Sequence, residues 1–253
     1  MNRFSKFLNS SARQKCMPLL HTCDGYAFRE VVEQKKLKTS PCNVYKGESL
    51  LYFFYGRPSY RTSRNIGPVS HEAFMPVVIL LSPDAVRSPK RIAPFDTGAF
   101  DSMLFEAHMH PEMDRDDFLL EPQMDMPSRL VSKFYGSNEQ YYNANPIHLD
   151  ISPLEFEAKS YYSLISSKVR TSYDDRKETV EIQTEKDIAL NQSNVQLIVL
   201  PNVFMDNDEL RDTIISDWQS DVRTYPIHHG DPNEYLGFLY REVESYLESK
   251  DYI

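Results

Sequence analysis

Leu51-Tyr52-Phe53-Phe54-Tyr55-Gly56-Arg57-Pro58-Ser59-Tyr60-Arg61 is the stretch on which the reading of this chain turns. Leu50 to Tyr55, bounded by Gly47 and Gly56, is too short and too aromatic for a helix and has the composition of a buried strand. A strand would not continue through Gly56-Arg57-Pro58, since proline cannot donate to a ladder and a core has no use for Arg57 and Arg61. A buried strand that opens into an aromatic and basic loop reads as a ligand site.

Upstream, His21-Thr22 runs into Asp24, which can cap a helix. Its apolar residues Phe28, Val31, Val32 and Leu37 follow the helical period, and it is expected to end near Thr39-Ser40-Pro41. Downstream, Met75 to Leu81 and Asn194 to Leu200 are apolar strands closed by Pro83 and Pro201. In Thr179 to Thr184 strict alternation sets Val180 and Ile182 on one face and Glu181 and Gln183 on the other. Ser152-Pro153-Leu154-Glu155 has the form of a capping box ahead of a helix through Phe156, Ala158, Tyr161, Tyr162 and Ile165. Two further amphipathic helices are expected, one through Leu210, Ile214 and Trp218, the other from Pro232 through Leu236, Leu239, Val243 and Leu247. Between Arg87 and Asn145 periodicity fades among prolines, methionines and the acidic run Asp114 to Asp117, so an irregular insertion is expected there. Strands and helices in this order are not a regular βαβ alternation and indicate the α+β class. No repeat or low-complexity linker divides the chain. One domain over 1–253 is expected, with the insertion at about 87–145 and a C-terminal helical extension at about 206–253.

Of the 253 residues, 41% are hydrophobic and 26% charged, an ordinary globular balance. No stretch approaches the roughly 20 apolar residues that span a bilayer, and no secretory signal pattern opens the chain. Cys16, Cys23 and Cys42 form neither a CxxC pair nor an even set, which suits a reducing compartment. A cytoplasmic protein with no membrane partner is expected. The net charge of −9 argues against global steering toward nucleic acid, although Arg57, Arg61, Arg64, Arg87, Lys90 and Arg91 fall within one 35-residue window. Neither GxGxxG nor a P-loop is present, which excludes the Rossmann dehydrogenases and P-loop NTPases. His108 and His110 near Glu106 and Glu112, and His228-His229 with Asp231, lack the framing of a zinc site, and no metal is expected.

Several elements occur together: His21-Thr22 before a helix that ends in Lys36-Leu37, the Tyr52 to Ser59 run, the Val77 to Leu81 strand, and Glu181 at the head of a late strand. Joined in this order across roughly residues 20 to 200, they resemble the ADP-ribosyltransferase fold, and most nearly the DarT-type nucleic-acid ADP-ribosyltransferases. Arg57 and Pro58 stand in exchanged order relative to the family run, and Gln183 stands where a second acid is more usual. The resemblance implies a split β-sheet core with flanking helices and an NAD-dependent transferase of the glycosyltransferase class. NAD would be its substrate and a macromolecule its acceptor, nucleic acid (a DNA or RNA base) being favoured and protein remaining open. It also implies a toxin-like or anti-phage defence effector, with an antitoxin or inhibitor protein as partner.

Cleavage of the nicotinamide–ribose bond develops positive charge on the sugar, which a carboxylate stabilises as it does in glycoside hydrolysis. Glu181 is the candidate for that role and for taking the nucleophile's proton. Arg57 would pair with the pyrophosphate or hold a loop through a bidentate contact; Arg61 can do the same, and the residues do not choose between them. Tyr55 and Tyr60 offer faces for nicotinamide, His21 a hydrogen bond to a ribose, and Thr22 a contact that orients it. The turn Asp174-Asp175-Arg176 before Glu181 lies where transferases of this fold carry the loop that recognises the target. Two alternatives stand beside this reading: a non-enzymatic nucleotide- or partner-binding module on the same fold, and a phosphotransferase of the RNA 2′-phosphate type.

Overall fold

The structure, a computed structural model, describes residues 1–59, 67–167 and 175–253. Tyr60, Arg61, Arg64 and Asp174 lie outside the described residues. A short helix α1 (Arg3–Leu8) leads to strand β1 (Leu19–Asp24) and helix α2 (Gly25–Gln34). The Asp24 side chain accepts from the Ala27 N–H at 2.8 Å and caps α2, while Phe28 and Val32 face the core. The helix stops five residues before the expected Thr39. Lys35 adopts a left-handed conformation (φ 50°) and its N–H closes onto the last carbonyls, after which Lys36–Leu37 (β2) is extended.

Strands β3 (Ser40–Pro41), β4 (Ser49–Tyr55), β5 (Pro76–Leu81) and β6 (Arg91–Ala93) follow. After helices α3 (Thr97–Asp101), α4 (Met126–Phe134), α5 (Asn138–Tyr142) and α6 (Phe156–Ser166) come β7 (Glu181–Thr184), β8 (Ile188–Ala189) and β9 (Val195–Pro201). The last elements are α7 (Asp208–Asp212), β10 (Asp221–Tyr225) and α8 (Leu236–Ser249). The main sheet runs β10-β9-β5-β1-β4-β7-β6 with β3 attached to β4, and β2 pairs with β8 in a separate ribbon. All of these pairings are antiparallel except β10 with β9. The architecture is mixed α+β on a mostly antiparallel sheet. No helix among the described residues is long and apolar enough to cross a membrane.

The segment expected to be an irregular insertion is part of the core. It supplies edge strand β6, helices α3 to α5 and the buried Phe95, Phe118, Leu130 and Phe134. Phe134 meets Tyr161 of α6 edge-on at 4.8 Å, and Phe4 of α1 lies 5.4 Å from the same ring. Each such aromatic pair contributes about 0.5–1.5 kcal/mol beyond its buried area. The expected capping box also fails to form. The Ser152 carbonyl, not its hydroxyl, accepts from the Glu155 N–H at 3.1 Å, and α6 starts at Phe156 without a side-chain cap. Near the C-terminus α7 passes into a π-helical turn, Thr213–Asp217, that buries Trp218 completely. Strand β10, unforeseen in the sequence, is an edge strand with only its last residue fully inside, so it carries little apolar pattern.

Candidate functional site

Three strands meet where the resemblance places chemistry. Glu181 of β7 pairs with Phe54 of β4, and Gln183 pairs with Tyr52 on one side and Arg91 of β6 on the other. Strand β1 pairs with β4 only through Leu19 and Leu20, although it stays paired with β5 as far as Asp24. Beyond Leu20 the sheet divides. At the division His21 Nδ1 lies 3.0 Å from the Tyr52 carbonyl oxygen, a group that the ladder would otherwise serve. A carbonyl only accepts, so Nδ1 carries the hydrogen and Nε2 is left as an acceptor. Burial lowers the pKa of His21, which keeps the ring neutral. The division opens a cleft of about 340 Å³ between β1 with α2 and the start of β4, lined among others by His21, Val31, Leu37, Thr39, Leu51 and Tyr52. Thr22 Oγ1 is buried with no hydrogen-bond partner among the described residues. A buried hydroxyl in that state has lost its water without replacement.

Glu181 is 3% exposed. Its Oε1 accepts from Gln183 Nε2 at 2.6 Å and from Thr97 Oγ1 at 2.8 Å, and its Oε2 accepts from the Thr97 backbone N–H at 3.3 Å. Burial raises its pKa to about 8, Asp96 adds to the rise, and the bonds from Gln183 and Thr97 oppose it. A carboxyl that exchanges its proton near neutral pH is suited to general acid–base chemistry. Thr97 is fully buried at the start of α3, where Asp96 caps the helix by accepting from the Ala99 N–H at 2.6 Å. Behind Gln183, Arg91 grips Glu48 through two 2.7 Å bonds and also reaches Gln183 Oε1 at 3.3 Å. The guanidinium carbons of Arg91 and Arg115 lie 3.9 and 4.1 Å from the centroid of the Tyr45 ring. Cys42 Sγ accepts from the Tyr45 N–H at 3.0 Å and lies 2.7 Å from the Tyr52 hydroxyl, which ties this aromatic pair to the start of β4.

The other candidates from the sequence are placed apart from this cluster. Arg57 is 3% exposed and faces inward. It donates from Nε to the Tyr240 hydroxyl at 2.9 Å, and its Nη2 is 3.5 Å from Glu178 Oε2. Ser59 Oγ and the Tyr240 hydroxyl both donate to Asp175, so this buried network ties β4's exit and α8 to the lead-in of β7. Tyr55 is fully buried. Its hydroxyl accepts from the Met17 N–H at 2.9 Å, and its carbonyl accepts from the Tyr141 hydroxyl at 2.9 Å. The structure thus places His21 and Thr22 on β1 and Glu181 on β7, on either side of β4, and it sets Arg57 and Tyr55 in the interior. Tyr60 and Arg61 fall outside the described residues. Among the described residues no group of three or more His, Cys, Asp or Glu side chains is arranged to hold a metal ion.

Sequence alone does not single out Thr97, Asp96 and Arg91 as partners of Glu181. Their one local signal is Asp96-Thr97-Gly98, the start of a capped helix inside an aperiodic stretch. The chain matches no protein-family model, and a search of curated proteins finds none with significant similarity.

Proposed function

We propose that this chain is an NAD-dependent ADP-ribosyltransferase that modifies a macromolecule, built on an ADP-ribosyltransferase-like split sheet. The observation that carries the reading is the adjacency of the His-Thr strand, the aromatic strand and the glutamate strand, with the sheet dividing beside His21 and Tyr52. In this reading NAD enters the cleft at the division. Neutral His21, which lines the cleft, offers Nε2 to a ribose hydroxyl; Thr22, its neighbour on β1, points to the other face of the strand and does not line the cleft. Glu181, when ionised, lies against the sugar and stabilises the developing positive charge.

The acceptor class rests on the resemblance, which favours a nucleic-acid base. Arg57, Lys90 and Arg91 direct their charges to Glu178, Glu185 and Glu48, so they add little to the case for a phosphate track. A toxin-like or defence role with an inhibitor partner belongs to the same proposal. A second reading is favoured by the near-complete burial of Glu181 and its three donors: a nucleotide-binding module in which this carboxyl only holds α3 against β7.

Adenylate-labelled NAD incubated with whole-cell protein, RNA and DNA fractions separates the two. Label in one fraction with the wild type, lost with Glu181→Gln, supports transfer and names the acceptor class. Absence of label in every fraction, with folded protein that still protects the cleft on adding NAD, supports the binding module.

A further inference from the structure

Resting on the transferase reading, we infer that Thr97 and Gln183 are positioning residues for Glu181. Both donate to Oε1, which holds that oxygen as a fixed acceptor and leaves Oε2 as the oxygen that carries the proton and meets the reacting group. The geometry makes the two carboxyl oxygens unequal. Oε1 receives a side-chain amide at 2.6 Å and a hydroxyl at 2.8 Å, which fill its two lone pairs. Oε2 has a single partner among the described residues, the longer 3.3 Å bond from the Thr97 N–H.

The direction of the Gln183 amide is itself determined. Arg91 Nη1 lies 3.3 Å from Gln183 Oε1, and a guanidinium only donates, so the amide oxygen faces Arg91 and the NH₂ group faces Glu181. Arg91 has little freedom to release it, since the fork-to-fork pair with Glu48 and the Tyr45 ring against its face fix the guanidinium plane. Thr97 is held by the cap on α3, and its hydroxyl also lies 3.3 Å from Gln183 Nε2. The charged and titratable groups around Glu181 are Asp96 from α3, Tyr52 from β4 and Tyr45 from the loop before it, with Arg91 of β6 acting through Gln183.

In the transfer step the C–N bond between ribose and nicotinamide breaks, and its electron pair leaves with nicotinamide, which becomes neutral. The acceptor's heteroatom bonds to the ribose carbon, and the proton it loses passes to Glu181 Oε2. The step requires the carboxylate. Its rate therefore rises with pH through the titration of Glu181, and each donor removed from Oε1 moves that rise to higher pH.

The test is the carboxyl ¹³C titration of Glu181 in protein without NAD, with its signal assigned by loss in Glu181→Gln, alongside the Thr97 backbone amide shift. The expected result is a midpoint raised by about one pH unit in Thr97→Val and in Gln183→Leu, roughly a tenfold change in the ionised fraction, and restored in Thr97→Ser. The wild-type Thr97 amide should titrate with the same midpoint, because protonation of Oε2 removes its acceptor. If Thr97→Val and Gln183→Leu leave the midpoint unmoved, or if the Gln183 side-chain amide titrates while the Thr97 amide does not, the assignment is overturned. Where transfer is measurable, the acid limb of kcat/KM should move with the same variants while KM for NAD stays constant. Absence of transfer in the wild type with the titration behaving as described would remove the enzymatic reading and leave the positioning intact.

Discussion

Replacing Glu181 by glutamine should change how the stability of the protein depends on pH. In the fold the carboxyl titrates near 8, against 4.5 for an exposed glutamate. For a raised pKa the contribution to stability is fully present below pH 4.5 and is lost as pH rises through about 8. At about 1.4 kcal/mol per unit, the wild type loses roughly 4–5 kcal/mol across this window relative to a side chain that cannot ionise. The amide oxygen of the introduced glutamine can still accept from Thr97 Oγ1 and Gln183 Nε2, but its NH₂ group would face the Thr97 N–H. Losing that bond costs about 1 kcal/mol at every pH. Glu181→Gln is therefore expected to match the wild type to within about 0.5 kcal/mol at pH 5 and to be about 3–4 kcal/mol more stable at pH 9. Urea denaturation of both proteins at unit steps from pH 5 to pH 9 measures the difference. Parallel stability curves over that range would refute the reasoning, since they would mean that Glu181 does not titrate differently in the folded and unfolded chains.

Arg57→Ala should destabilise by about 3–5 kcal/mol, because it breaks the buried ion pair with Glu178 and the bond to the Tyr240 hydroxyl. Lysine at the same position should fail to restore the loss in urea unfolding, having no planar fork to reach Tyr240 and Glu178 together. Tyr141→Phe removes the acceptor of the Val180 N–H and the donor to the Tyr55 carbonyl, and should cost about 1–3 kcal/mol; faster hydrogen exchange at the Val180 amide is its local signature. Asp24→Ala should lower stability by about 1 kcal/mol through loss of the α2 cap, read as a lower urea midpoint at constant slope.

Elements with a strong period were legible in the sequence. The apolar runs at β4, β5 and β9 read as strands, and the Asp24 cap with Phe28 and Val32 marked α2. Elements that depend on tertiary contacts were not. The three-residue β6 gains its strand character by pairing with β7, and helices of five residues such as α3 and α5 are too short to show a period. For the site, the order of elements along the chain named Glu181, His21 and Thr22 as candidates, whereas Thr97 meets Glu181 through a contact spanning 84 residues that no local pattern reports. Arg57 sits in the interior, where it holds the exit of β4 rather than facing the cleft. A guanidinium at the end of an aromatic strand looks the same in sequence whether it faces a ligand or, as here, an internal carboxylate.

The knot of Arg57, Asp175 and Tyr240 also bears on the order of events during synthesis. Tyr240 lies on α8, far along the chain from β4 and β7, and it both accepts from Arg57 and donates to Asp175. A ribosome delivers β4 and β7 long before it delivers α8, so for that interval Arg57 and Glu178 face each other without the hydroxyl that completes their surroundings. Nascent chains arrested before Leu236 should accordingly leave the lead-in to Glu181 open to protease, while chains that include Ser249 should protect it. The carboxyl at the centre of the site would then be secured only once α8 has been made.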